Sequence, residues 1–400
     1  MATTPEAYVH LSTDKTTLTF YYDTLRADRN GTTWGIRDWD AFFSCPAWAG
    51  DFNPRSTTVL TAVFDASFRD FRPTTTEGWF YELNLLERIE GLEHLNTSQV
   101  TSMGWMFKGC GSLTSLDLSR FDTSKVTSMS GLFWGCRSLT SLDLSRFDTS
   151  KVTSMSGLFS GCGSLTSLDL TCFDTSKVTD MGWMFEGCGS LTSLDLSRFD
   201  TSKVTSMSGL FSGCGSLTSL DLTCFDTSKV TDMRGMFEGC GSLTSLDLTR
   251  FDTSKVTDMG WMFSGCGSLT SLDLTRFDTS QVTDMEEMFS GCESLTALDL
   301  SSFDTSEVSY MRGMFEGCGS LTSLDLSSFD TSNVTDMRGM FYSCESLTTI
   351  YCNSSWSDRL SDDMFSGCNS LRGAATNVGN SYDVSMANPE TGYFTKKVLS

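Results

Sequence analysis

From Val100 onward the apolar positions repeat with a period of 26 residues. Val100, Val126, Val152, Val178, Val204, Val230, Val256, Val282, Val308 and Val334 each open nearly the same unit, V-T-x-M-x-x-M-F-x-G-C-x-S-L-T-S-L-D-L-S-x-F-D-T-S-x. Within one unit the apolar residues are Val126, Met129, Leu132, Phe133, Cys136, Leu139, Leu142, Leu144 and Phe147. Their spacing runs at three to four and then switches to two at Leu142-x-Leu144, so each unit predicts a short helical or 3-10 segment followed by a strand. Asp148-Thr149-Ser150 follows that strand, and its short side-chain oxygens suit an Asx or Ser/Thr turn.

Leu-x-x-Leu-x-Leu is the strand signature of a leucine-rich repeat. The expected fold is a leucine-rich-repeat solenoid, an α/β repeat architecture with a parallel β-sheet on one face and short helical or 3-10 segments opposite. Strands are expected near residues 115–119 and at 26-residue steps through 323–327, advancing about 4.8 Å per coil. A single coil cannot bury its own apolar face, so the ends require caps. Residues 1–78 read as a β-rich N-terminal capping region, with a hairpin of Ala7–Ser12 and Thr17–Asp23 across Thr13-Asp14-Lys15 and a further strand at Val59–Phe68. Residues 79–350 read as the solenoid, opened by a degenerate coil at Trp79–Ser98, and 351–400 as a C-terminal cap and tail. The whole is expected to form one elongated domain.

Charge narrows the function. The 400 residues carry 28 Lys+Arg against 50 Asp+Glu, a net charge of −22 that repels phosphate backbones and anionic headgroups. Nucleic-acid and membrane-surface binding are therefore not expected, and membrane insertion is not expected because no apolar run approaches the ~20 residues a span needs. The opening Met-Ala-Thr-Thr-Pro-Glu has neither the basic nor the apolar region of an export signal. Two His among 400 residues is a poor endowment for acid-base or metal chemistry, and His10 and His94 have no metal-ligand spacing. Gly109-Cys110-Gly111 is followed by Thr114 where a dinucleotide fingerprint needs glycine. No enzyme activity, metal or cofactor is expected.

Three sets of residues remain as candidates. Cys110, Cys136, Cys162, Cys188, Cys214, Cys240, Cys266, Cys292, Cys318, Cys344 and Cys368 fall at the spacing of inward positions and read as a ladder of buried free thiols. Cys172 and Cys224 occupy the slot that holds Arg120, Arg146, Arg198, Arg250 and Arg276 in other units, and are expected to be more exposed. Asp117, Asp143, Asp169, Asp195, Asp221, Asp247, Asp273, Asp299 and Asp325 lie between the two strand leucines and form an outward acidic ladder. Its repulsion could be relieved by the nearby Arg, by raised carboxyl pKa values or by cations such as Ca²⁺. The third set varies along the chain: Trp105, Trp183 and Trp261 recur every third unit, and Trp134, Arg234, Glu286, Arg312 and Tyr342 fill neighbouring slots. Aromatic and Arg side chains on a rigid scaffold are favoured interface anchors, although the same tryptophans could cover gaps beside glycine.

Val-Thr-x-Met-x-x-Met-Phe-x-Gly-Cys, Ser-Leu-Thr-Ser-Leu-Asp-Leu-Ser and Phe-Asp-Thr-Ser stand repeatedly in the chain, flanked by Thr17-Leu18-Thr19-Phe20-Tyr21-Tyr22-Asp23 and Gly392-Tyr393-Phe394-Thr395. Over most of its length the sequence resembles the BspA-like leucine-rich-repeat surface proteins of bacteria, in the branch with the 26-residue bacterial surface-protein repeat. The resemblance implies an acidic, non-enzymatic repeat protein, extracellular or on the cell surface, with an adhesive or host-interacting role. Its expected partner is a host or bacterial surface protein or glycan, and the chain itself is expected to be a monomer. This chain departs from full-length members of that group in showing no signal peptide, lipobox or Leu-Pro-x-Thr-Gly anchor. A structural spacer without a ligand of its own is the competing reading.

Overall fold

The computed structural model describes residues 4–39, 45–49, 58–357, 360–375 and 381–397, in two compact units, Met1–Phe199 and Asp200–Ser400. The first unit begins with a five-stranded sheet: β1 (Glu6–Leu11), β2 (Thr17–Asp23), β3 (Thr32–Gly35), β4 (Thr61–Phe64) and β5 (Arg88–Glu90), in the order β3-β1-β2-β4-β5. The expected hairpin is present, with Tyr8 opposite Tyr21 and Val9 opposite Phe20. The strand expected over Val59–Phe68 is shorter, because the Asp65 side chain caps a 3-10 turn at Ala66–Asp70 by accepting from the Ser67 N–H. β2, β4 and β5 pair in parallel, so the cap turns from a hairpin into the parallel sense of the coils. Phe20 stacks on Phe64 and Trp79 at 4.6 and 5.4 Å, and Trp48 donates its indole N–H to the Trp79 carbonyl, which seals the end of the core.

The coils stack through the limb that was expected to be helical. Along Met103–Gly109 alternate amides leave the coil: Met103, Trp105, Phe107 and Gly109 N–H donate to the carbonyls of Ser128, Ser130, Leu132 and Trp134, at 2.6–3.1 Å. The intervening amides fold back three residues, Met106 onto Met103, Lys108 onto Trp105 and Cys110 onto Phe107. The result is a ribbon of consecutive turns carrying a left-handed residue at every fourth position, here Trp105 and Gly109 and in the next coil Gly131 and Gly135. The second unit repeats it, with Met233, Gly235, Phe237 and Gly239 donating to Asp258, Gly260, Met262 and Ser264. Left-handed residues cannot continue a right-handed helix, and a turn ribbon with this period reproduces the three-to-four apolar spacing. Among the described residues, the 3-10 segments lie in the terminal regions and in the degenerate first coil, at Leu92–His94, and not in the regular coils from Val100 onward.

The Leu-x-Leu limb is correspondingly different from expectation. Among the described residues the first strand on this limb of the regular coils is β6 (Ser323–Asp325), which pairs in parallel with β7 (Thr349–Tyr351), itself paired with β8 (Phe394–Thr395). Side chains also hold neighbouring coils together. Phe107, Phe133, Phe159 and Phe185 stack nearly parallel at 5.8–5.9 Å in the first unit, and Phe211 to Phe341 do so at 5.7–5.8 Å in the second. Ladder thiols such as Cys110, Cys136, Cys162, Cys240 and Cys266 donate to a Phe carbonyl of the preceding coil, Cys136 Sγ to Phe107 O at 3.1 Å. A buried Thr completes the clip: Thr123 Oγ1 donates to the Asp148 carbonyl at 3.0 Å and accepts the Asp148 N–H at 2.8 Å. Thr227 and Thr253 do the same in the second unit. At the far end Tyr393 and Phe394 meet Phe365 edge-on and close the second unit.

Candidate functional site

The turn ribbon carries the Trp, Arg, Glu and Tyr residues that vary along the sequence, and the left-handed slot is the most telling of them. Most units place glycine there, at φ +58° to +61° in Gly131, Gly157, Gly209, Gly235, Gly313 and Gly339. Trp105, Trp183 and Trp261 occupy the same conformation at φ +55° to +56°. A residue with a Cβ pays roughly 1–2 kcal/mol to adopt it, so three bulky aromatics stand where glycine would be less strained. Trp105 is 40% and Trp183 42% exposed.

In the first unit Trp105 leans over Gly131, where an added Cβ would sit 2.4 Å from Trp105 Cδ1, and Trp134 leans over Gly157 in the same manner. The covering role foreseen for these rings is therefore present beside their exposure. The Lys108 ammonium lies 4.8 Å from the Trp134 ring. Trp183 stands two coils further on.

In the second unit four of the candidate residues converge. The Arg234 guanidinium stacks on Trp261 at 3.7 Å and pairs with Asp258 and Asp284 at 3.2 and 3.4 Å. Arg312 pairs with Glu286 at 3.4 Å. Burial, and then the neighbouring Asp258, raise the Asp284 carboxyl above its ordinary range; burial and Asp284 do the same to Glu286, against the opposing pull of Arg312. Tyr342 is exposed but lies two coils beyond Arg312's partner Glu286, beside Gly339, and does not join this cluster. Asp258 and Asp284 were not singled out in the sequence, although the change from Val-Thr-Ser-Met to Val-Thr-Asp-Met marks their slot.

The Asp ladder is outward and exposed, but its electrostatics differ from expectation. Asp169 accepts from the Thr171 hydroxyl and N–H at 2.6 and 3.0 Å, and Asp247 accepts likewise from Thr249. These donors hold Asp117, Asp143, Asp169, Asp195, Asp247, Asp273 and Asp299 below the usual carboxylate range instead of above it. Arg250 adds only a smaller pull at Asp247. At Asp325 burial works the other way, and Lys397 and Ser327 outweigh it. Asp221 accepts from Thr223 in the same fashion. The ladder is locally satisfied and uniform. Cys172 is half-buried, donates to the Leu144 carbonyl at 3.2 Å, and burial raises its pKa.

A family model described as a Mycoplasma protein of unknown function, DUF285, matches residues 74–193, 163–272 and 262–378. The chain belongs to the DUF285 family. No curated protein matches the sequence. Solved structures similar to it include a leucine-rich repeat protein from Bacteroides ovatus, 20% identical over 92% of each chain with a TM-score of 0.42. A leucine rich cell surface protein from Faecalibacterium prausnitzii is 17% identical over 97% of each chain, TM-score 0.43. A leucine-rich repeat protein from Eubacterium ventriosum is 16% identical over 94% of this chain and 97% of that one, TM-score 0.47. With 26-residue Leu-x-x-Leu-x-Leu coils stacked within each unit, this DUF285 chain has a leucine-rich-repeat solenoid fold. Among its described residues no helix is long and apolar enough to cross a membrane.

Proposed function

We propose that this DUF285 protein is a non-enzymatic binding module of the cell exterior, adhesive or host-interacting, that reads its partner with the turn-ribbon face. The observation that carries the proposal is the presence of Trp105, Trp183 and Trp261 in left-handed slots that glycine fills in six other units and Glu287 in one. Strain retained at an exposed position is a pointer to function. Selectivity also needs a pattern that differs along the solenoid. The ribbon has one, whereas the Asp ladder repeats the same carboxylate with the same hydroxyl donor.

The test is binding of the whole chain to an array of extracellular host proteins and glycans, followed by Trp183→Gly and Trp261→Gly. Glycine is the residue the backbone of that slot accepts. Loss of an interface anchor costs about 2 kcal/mol or more, roughly thirtyfold in affinity. Both variants should lose the partner and keep the circular dichroism spectrum. Asp195→Asn and Asp221→Asn should bind normally. Binding lost in the Asp variants and kept in the Trp variants places the site on the other face and ends this reading.

A further inference from the structure

The coil from Val126 departs from its neighbours at two slots of the ribbon face. Trp134 stands where the adjoining units of the first compact unit have Lys108 and Ser160, and Arg137 stands where they have Gly111 and Gly163. These substitutions line one groove of 480 Å³, walled by Trp134, Lys108 and Arg137 and also by Glu82 and Asn84, with its floor formed by glycine backbone. Among the described residues neither Lys108 nor Arg137 makes an ion pair, and Lys108 instead lies 5.3 Å from the Tyr81 ring and 4.8 Å from that of Trp134. A chain of net charge −22 thus gathers two cations and an indole at one place.

We propose that this groove binds a carboxylated pyranose sugar. The inference rests on the reading of the ribbon as a binding face and names the ligand class for its first unit. Arg137 matches a carboxylate in its bidentate fork, and Lys108 adds a point charge. The Trp134 indole offers an apolar wall to the C–H edges of a sugar ring, in a groove of the size that takes small ligands. Glu82 and Asn84 line the rest of the groove, which is polar along that side. The acidic Glu82 beside the two cations disfavours a polyanion, and so does the field of the whole chain. A single negative charge surrounded by hydroxyls fits this arrangement better than a phosphopeptide or a nucleic acid does.

The experiment is calorimetric titration of the full chain with sialyllactose, a glucuronic-acid disaccharide and lactose. Variants take the residues that neighbouring coils carry, Arg137→Gly, Trp134→Ser and Lys108→Ser, so that the fold is preserved; thermal melts check this. Binding of either acidic sugar, at least tenfold tighter than lactose and reduced at least tenfold by Arg137→Gly and by Trp134→Ser, supports the proposal. Which acidic sugar binds tells a sialylated host glycan from a uronic-acid polymer. Equal binding of lactose, or binding untouched by Arg137→Gly, overturns it. Absence of any sugar binding also overturns it, and if Trp183→Gly still abolishes capture of an array protein, the binding-module reading survives alone.

Discussion

The inter-coil threonine clip makes a quantitative prediction about what stabilises the stack. Thr123 is 1% exposed, and its hydroxyl makes two hydrogen bonds to the next coil, one donated to the Asp148 carbonyl and one accepted from the Asp148 N–H. Thr123→Val keeps the shape and deletes both. Each hydrogen bond contributes about 1 kcal/mol net, and an amide and a carbonyl left without a partner inside the stack cost more, so the expected loss is about 2–4 kcal/mol. Because a solenoid is stabilised chiefly by interfaces between neighbouring repeats, the loss should be felt locally. At about 2–4 °C per kcal/mol for a unit of this size, thermal melts should shift down by about 4–16 °C. Hydrogen exchange gives the sharper readout: the Asp148 amide should lose protection first, while the ribbon amides of Met103 and Phe107 keep theirs. Ser124→Ala, on the exposed side of the same turn, serves as the control and should change little. A Thr123→Val protein that melts with the wild type and still protects the Asp148 amide would refute the clip as a stabilising device.

Two further outcomes are expected. Burial raises the thiols of Cys110, Cys136, Cys162, Cys188, Cys240, Cys266, Cys292 and Cys318, those of Cys240 and Cys292 to about 12 from an ordinary 9.0. Since the unfolded chain then loses those protons before the folded one does, stability is full below pH 9 and falls as pH rises from 9 to 12, at about 1.4 kcal/mol per pH unit for each such thiol. Melting curves over that range, with alkylation showing Cys172 and Cys224 labelled before the ladder, check it; a flat profile to pH 11 would contradict buried neutral thiols. On the opposite limb, the Asp ladder is already satisfied by its Ser and Thr donors, so Ca²⁺ should raise the melting temperature no more than Na⁺ at equal ionic strength. A markedly larger Ca²⁺ shift would mean that the ladder binds the ion and stabilises the native state by mass action.

The period and the inward set were legible because each follows from spacing alone. Val, Met, Phe and Cys recur at fixed intervals and all are buried. The conformation of the Met-x-x-Met-Phe limb was not legible, because a helix and a ribbon of left-handed turns leave the same three-to-four apolar trace. The signal that separates them is glycine at two slots four residues apart, Gly131 and Gly135, both at positive φ. Trp105, Trp183 and Trp261 hide that signal by sitting where glycine belongs. The Thr clip was missed for a different reason: a Thr between two polar residues of a turn reads as solvent-exposed, and only the stacking of coils shows that Thr123 points inward. Of the variable residues, Arg234, Trp261, Glu286 and Arg312 proved to be neighbours, while Asp258 and Asp284, which complete their charge pairing, needed the structure.

The placement of variation follows from the backbone. The inter-coil backbone hydrogen bonds in the ribbon use alternate amides and carbonyls and need no outward side chain, so the outward slots between them are free to differ. The Phe-Asp-Thr-Ser turn has no such freedom, because Thr123 must reach the next coil and Asp122 must accept from Ser124 at 3.0 Å to hold the turn. The Leu-x-Leu limb is similarly bound, since its carboxylates lie at coil spacing and each needs its own Ser or Thr donor against repulsion from the next. Uniformity on that limb is thus a requirement of stacking like charges. The ribbon is where a solenoid of near-identical coils can differ from one coil to the next without unstacking, and a partner that must find one register along it has to read that face.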